Sequence, residues 1–474
     1  MLTEKQIKKL HHEYAEYVSH WEYYYRSYIG GEEYREGGYL RKYLNEDAAP
    51  GDQYGQRLLN TALQNHVKSI VHIYRSYLFR SVPKRTLSNL LNQPDVTSFL
   101  SDVDRNGTDI NAFMKKIVDG VMVYGSMWLV VDRPAYRTLT RAEELQLGIR
   151  AYVNAYVPSN VLDWEFEPDI TGRNVLTCLK IVEHSGEDMD QLVIWYPDTV
   201  CRYWVEKKEF NRQINDLQGE AEVEYGKIIR AEEYFNPLGY IPAIHINVDN
   251  GHSQIADIAD TQRSIYNRLS ELEQAIRISG HPTLVKTVST KASAGAGAVI
   301  NVEEDMPPEL RPYLLQPSGS TIDSILKAIQ MDVEAIDKMA HVSGIRGTVG
   351  TPMSGVALQT EMQMLNSRLS DLAEILQEAE YKIWELFTAW QGLTPDRDFY
   401  IEYEKSFDIR DKHSDLELLR RANEFTINNM LKKEIQKQIA KLLVDDENVL
   451  SQIIADIDST FDATIVAQTT VSVN

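Results

Sequence analysis

The apolar positions of the first 120 residues recur at helical steps. Tyr14, Tyr17, Trp21, Tyr25 and Tyr28 follow one another at three- and four-residue intervals, which predicts a helix with an aromatic stripe. Gly30-Gly31 and Gly37-Gly38 interrupt it, and Ala48-Ala49-Pro50-Gly51-Asp52 reads as a loop. The spacing of Leu58, Leu59, Ala62, His66, Ile70, Ile73 and Tyr77 predicts a single helix over 53–79, stopped by Pro83. From Ser126 the pattern changes. Met127–Val131 is a short apolar run that suits a buried strand. Strand-like runs follow at 151–157, 161–165, 176–183, 191–196, 199–205, 223–230 and 241–248, which predicts one antiparallel sheet on the helical layer.

Helical periodicity returns in the second half. Ile255, Ile258, Ile265, Leu269, Leu272 and Ile276 stripe a helix over 254–279, and Ile322, Leu326, Ile329, Val333, Ile336 and Ala340 stripe another over 321–342. Between them, Thr283–Val285 suits a strand, 292–298 is built of small residues, and prolines stand at 307, 308, 312 and 317. Gly344, Gly347, Gly350, Pro352 and Gly355 punctuate a loop whose only charge is Arg346. A long helix over 356–390, a short strand at 399–403 and a charged helical tail over 411–458 complete the pattern. The fold class is α+β and predominantly helical.

Composition narrows what such a chain can do. At 474 residues it holds about three domains' worth of polypeptide. With 43% hydrophobic and 25% charged residues, wholesale disorder is excluded. The formal charge of −21 argues against a protein that wraps DNA or an anionic membrane, because no global field draws phosphates in. It leaves room for one that lets DNA pass without holding it. The most apolar stretch, 117–131, is too short for a span and contains Asp119, and charges near the N-terminus replace a leader's apolar core. Cys178 and Cys201 stand alone, with no CxxC motif, which suits a reducing cytoplasm and excludes a disulfide framework.

Catalytic chemistry is missing from the pattern. There is no GxxxxGK[ST] and no GxSxG, Gly295-Ala296-Gly297 lacks a third glycine, and His11-His12-Glu13 is not HExxH. Asp102, Asp104 and Asn106, with Gly107 in sixth place, resemble the first half of a calcium loop. Phe113 stands where a bidentate Glu belongs and Arg105 adds positive charge, so an Asx-type turn before a helix over 110–123 is the simpler reading. The expectation is no enzyme, no cofactor and no metal. Ten of the 26 tyrosines lie within the first 54 residues, without systematically interleaved basic residues, which favours a packing or subunit interface over a base-stacking surface.

The order of elements then carries a resemblance. Asn236-Pro237-Leu238-Gly239-Tyr240-Ile241-Pro242 precedes the helix over 254–279, Ile265-Tyr266-Asn267 lies within it, and Ser354-Gly355-Val356-Ala357-Leu358 opens the long helix. In this order the chain resembles the portal protein of tailed double-stranded DNA bacteriophages over nearly its whole length. The resemblance implies a homo-oligomeric ring, a dodecamer, around a tunnel for DNA packaging and ejection. It implies a wing (1–250 and 356–410, helices plus antiparallel sheet), a two-helix stem (251–279 and 321–342) and a small α/β clip (280–320). A tunnel loop (343–355) and a short helical crown (411–474) complete it. Implied partners are double-stranded DNA in transit, a terminase motor, a head-tail adaptor and the major capsid or scaffolding protein. No membrane is involved. The implied location is the capsid portal vertex of the virion, and the host cytoplasm during assembly.

On this reading Gly344, Arg346, Gly347, Thr348, Gly350 and Thr351 form the DNA-facing loop, with Arg346 as its phosphate contact. Lys327 and Lys338 share one helix face and are candidates to line the tunnel; pairing with Asp323 and Glu334, each four residues earlier, is the other reading. A structural ring or coiled-coil-like virion or assembly protein that never meets DNA, and a metal-dependent enzyme using the acids at 102–109, are the rival classes.

Overall fold

The computed structural model describes residues 4–44, 46, 51–134, 140–186, 188–206, 227–280, 283–287, 307–315, 319–347, 355–407, 412–425, 428–444 and 449–460. The chain divides into two compact units, Met1–Phe407 and Asp408–Asn474.

In the larger unit the aromatic stripe forms helix His12–Ile29, with Tyr14, Val18 and Trp21 buried. The helix expected over 53–79 is two, Gln53–Asn60 and His66–Leu78. Apolar spacing continues across the break, but side chains compete with the backbone there. The Thr61 hydroxyl donates to the Arg57 carbonyl at 2.7 Å, and the Asn65 side chain caps the second helix by accepting from Lys68 N–H at 2.8 Å. Helix Ile110–Tyr124 starts on Asp109, whose carboxylate accepts from Asn111 and Ala112, and ends at Gly125 with φ 80°. A Cβ at Gly125 would come within 2.4 Å of the His252 backbone, so only glycine fits this close turn.

The strands form two main sheets, not the single one expected. In the first, Ser126–Asp132 lies between Tyr152–Tyr156 and Ala243–Asn247, all antiparallel. Its apolar run is continuous because both faces are covered. Met127, Leu129 and Val131 join the large core with the helices, while Trp128 and Val130 join a smaller core with Leu179, Ile181, Val193 and Trp195. The second sheet is a five-stranded meander of Val161–Pro168, Asn174–Ser185, Met189–Trp195, Thr199–Glu206 and Ile228–Phe235. The chain changes sheets at the turn Pro158–Asn160, where proline ends the ladder, and returns at buried Asn236. The Asn236 amide donates to the carbonyls of Pro197 and Tyr240, both at 2.8 Å, and its oxygen accepts from Leu238 N–H.

Helices Ala256–Gly280 and Gly319–Met339 pack as a hairpin, with Arg268 reaching the Ala328 carbonyl and Asp332. Between them Thr283–Val285 pairs antiparallel with Tyr313–Leu315. Buried polar side chains fix the hairpin to the body. Gln262 accepts from Val67 N–H and donates to the Ser27 carbonyl. Asn267 brackets the segment crossing it, donating to the Tyr39 carbonyl at 3.0 Å and accepting from Arg41 N–H at 2.8 Å. Arg57, 4% exposed, holds Glu46 with two hydrogen bonds and donates a third to Ser270.

Helix Gly355–Gln391 contributes Leu365, Leu369, Leu376, Ile383 and Phe387 to the large core. After it, Tyr400–Glu402 pairs antiparallel with Lys84–Thr86. Arg85 is bonded there to fully buried Glu380, which also accepts from the Tyr403 hydroxyl. In the smaller unit Lys412–Phe425 packs with Asn429–Leu443, residues 449–460 are helical, and Asp458 pairs with Lys433 and Lys437.

Candidate functional site

The segment after the hairpin is built as an elbow. Helix Gly319–Met339 stops where His341 takes a left-handed φ of 53°, and Val342 N–H donates back to the Asp337 carbonyl. Ser343–Arg346 then makes one helical turn, closed by Gly347 at φ 64°. Neighbouring helices hold it. The Tyr74 hydroxyl donates to the Ala340 carbonyl at 3.0 Å, and Ser343 N–H donates to Glu361 at 2.8 Å.

Arg346 occupies the inside of this elbow. One guanidinium nitrogen lies 2.6 Å from a carboxylate oxygen of Asp337, which is fully buried, and another donates to His66 Nδ1 at 2.9 Å. Burial, and then the Arg346 charge, push the His66 imidazole down to about 4. The ring is neutral at pH 7 and accepts at Nδ1, while its buried Nε2 has no hydrogen-bond partner. The Arg346 charge is thus paired with a buried carboxylate.

Gly344 lies in the same helical turn, and Thr348, Gly350 and Thr351 fall outside the described residues. Lys327 and Lys338 are both exposed, and neither pairs with Asp323 or Glu334 among the described residues. The elbow partners Asp337, His66 and Glu361 escaped the sequence reading. Asp337 was detectable, as an acid between Ile336 and Ala340 on an apolar helix face.

The acids at 102–109 are engaged as a turn. Asp102 accepts from Gly107 N–H and pairs with Arg150 at 3.0 Å, while Asp104 accepts from Asn106 N–H and Thr108 N–H and lies 3.6 Å from Lys116. Desolvation opposes those hydrogen bonds at Asp104, and the bonds win, holding its carboxyl below the usual range. Among the described residues, the one grouping of three potential ligand atoms is His11, His12 and Glu13. His11 Nδ1 already accepts from Glu13 N–H, and its ring stacks on Trp164 at 3.8 Å. No helix among the described residues is long and apolar enough to cross a membrane.

No protein-family profile matches the chain, and no curated protein matches it. Among solved structures it is similar to a chain of the neck of an empty gene transfer agent particle, computed with C6 symmetry. The TM-score is 0.43 and the identity 10%, over 82% of this chain and 94% of that one. It is also similar to a chain of the virion of a native gene transfer agent particle, with a TM-score of 0.42 and 11% identity over the same shares.

Proposed function

We propose that the chain is the subunit of a ring-shaped portal, a conduit through which double-stranded DNA enters and leaves a phage-like capsid. The observation that carries this reading is the order of elements from 256 to 391. A helical hairpin brackets a small two-stranded module, a glycine-punctuated segment follows, and a 37-residue helix comes next. In this reading the helix pair serves as stem, the module as clip, the residues 343–355 as tunnel loop and, beyond the long helix, 411–474 as crown.

Electrostatics supports a conduit over a clamp. Duplex DNA carries a charge about every 1.7 Å of axis, so a chain with 70 acidic against 49 basic residues attracts it weakly and lets it slide. Lys327 and Lys338 supply exposed cations on the stem, while Arg346 fixes the base from which the loop departs. Packaging energy comes from a terminase motor, because the chain offers no nucleotide loop or catalytic constellation. Other partners are a head-tail adaptor and the major capsid or scaffolding protein.

Negative-stain imaging of the purified protein tests the reading. Rings of identical subunits with a DNA-sized hole are expected; monomers at every salt concentration, or rods, would sink it.

A further inference from the structure

Alongside the aromatic helix His12–Ile29 lies a groove of about 390 Å³. Exposed Tyr17 and half-buried Tyr24 line it from the helix over buried Trp21 and Trp128, with exposed Glu13 and Glu16 on its rim. No lysine or arginine lines it among the described residues. The imidazole stacked on Trp128, that of His245 at 4.1 Å, is pushed down to about 4 by burial, so it adds no positive charge at pH 7. Outside the groove, Asp260 and Asp257 add to burial in pushing the Tyr24 hydroxyl up.

Ring faces carry negative potential, and here they stand beside carboxylates and the imidazoles of His12 and His252, with no lysine or arginine in the lining among the described residues. A phosphate would be repelled, whereas a guanidinium or ammonium would meet both ring faces and counter-ions. The net charge of −21 steers the same sign of partner toward this surface. We infer that the groove receives an arginine- or lysine-bearing peptide segment of a partner protein. The cation rests on the Tyr17 and Tyr24 rings, and Glu13 and Glu16 neutralise it. This stands whether or not the chain forms a ring.

Titration of the full chain with acetyl-Gly-Arg-Gly-Arg-Gly-amide and with its glutamate counterpart, followed by tryptophan fluorescence and calorimetry, tests it. The arginine peptide is expected to bind roughly tenfold tighter than the glutamate peptide, and more weakly as salt rises. Glu13→Gln with Glu16→Gln should weaken it roughly fivefold, and Tyr17→Ala, at an exposed ring, by a similar factor. Equal binding of the two peptides, or unchanged affinity in both variants, overturns the proposal. So does loss of self-association in the variants with peptide affinity retained, because the groove would then be a contact between copies.

Discussion

The two ends of the helical hairpin are made of different chemistry. Toward the body, Gln262, Asn267, Ser270 and Asp337 are engaged by backbone amides and guanidinium groups, three of the four fully buried. Toward the two-stranded module, Ile276, Ile278 and Leu326 are each 47% exposed. Buried polar contacts fix a geometry: they are satisfied in one arrangement and costly in every other. Exposed apolar groups fix nothing in the isolated chain and are available to whatever covers them. One end of the hairpin is fixed to the body by polar contacts, and the other presents apolar side chains to solvent.

Removing one partner from the polar end gives the largest expected effect. Arg346→Ala removes the guanidinium that pairs with the buried Asp337 carboxylate and should cost about 3–5 kcal/mol in urea unfolding. Adding Asp337→Leu to Arg346→Ala should recover most of that loss. A double variant as unstable as the single one would mean that the elbow owes its position to packing instead.

Acid attacks the same end. His66 titrates at about 4 in the fold against 6.5 unfolded, as does His245 on Trp128. Because the neutral form is favoured in the fold, their contribution is complete above pH 6.5 and lost as pH falls through about 4. Each is worth on the order of 3 kcal/mol. Asp132, pushed up to about 6 by burial, acts in the opposite direction. Urea midpoints should fall progressively between pH 6.5 and 4, and less steeply in His66→Gln. A His66→Gln variant that keeps the full slope would remove His66 from this account.

The smallest folding effect is expected at the apolar end. Ile278→Ser and Leu326→Ser should change the stability of the isolated subunit by less than about 0.5 kcal/mol, since both side chains are already half in water. Self-association measured by light scattering should nevertheless weaken. A large loss of monomer stability in either variant would erase the contrast between the two ends.

Periodic features were legible along the chain, and features that depend on distant partners were not. The hairpin helices and the long helix appear within three residues of their predicted bounds, because each carries an uninterrupted apolar stripe. The break at Thr61–Asn65 hid beneath an apolar spacing that continues through it; hydroxyl and amide groups decide it locally. Two sheets instead of one follow from Trp128 pairing with His245, a neighbour that no local pattern names. At the candidate site the glycine spacing drew attention to 343–355, but the partners of Arg346 stayed hidden because Asp337 and His66 lie on other elements.

The pairing of Lys84–Thr86 with Tyr400–Glu402 has a consequence for biosynthesis. A ribosome emits the chain from one end, at about 5–20 residues per second, so the early strand waits some tens of seconds for its mate. Through that interval Arg85 has neither Glu380 nor the Tyr403 that shares it, and its strand edge is open. The larger unit therefore closes only when its last strand emerges. A nascent chain cut short before residue 400 retains an unpaired edge.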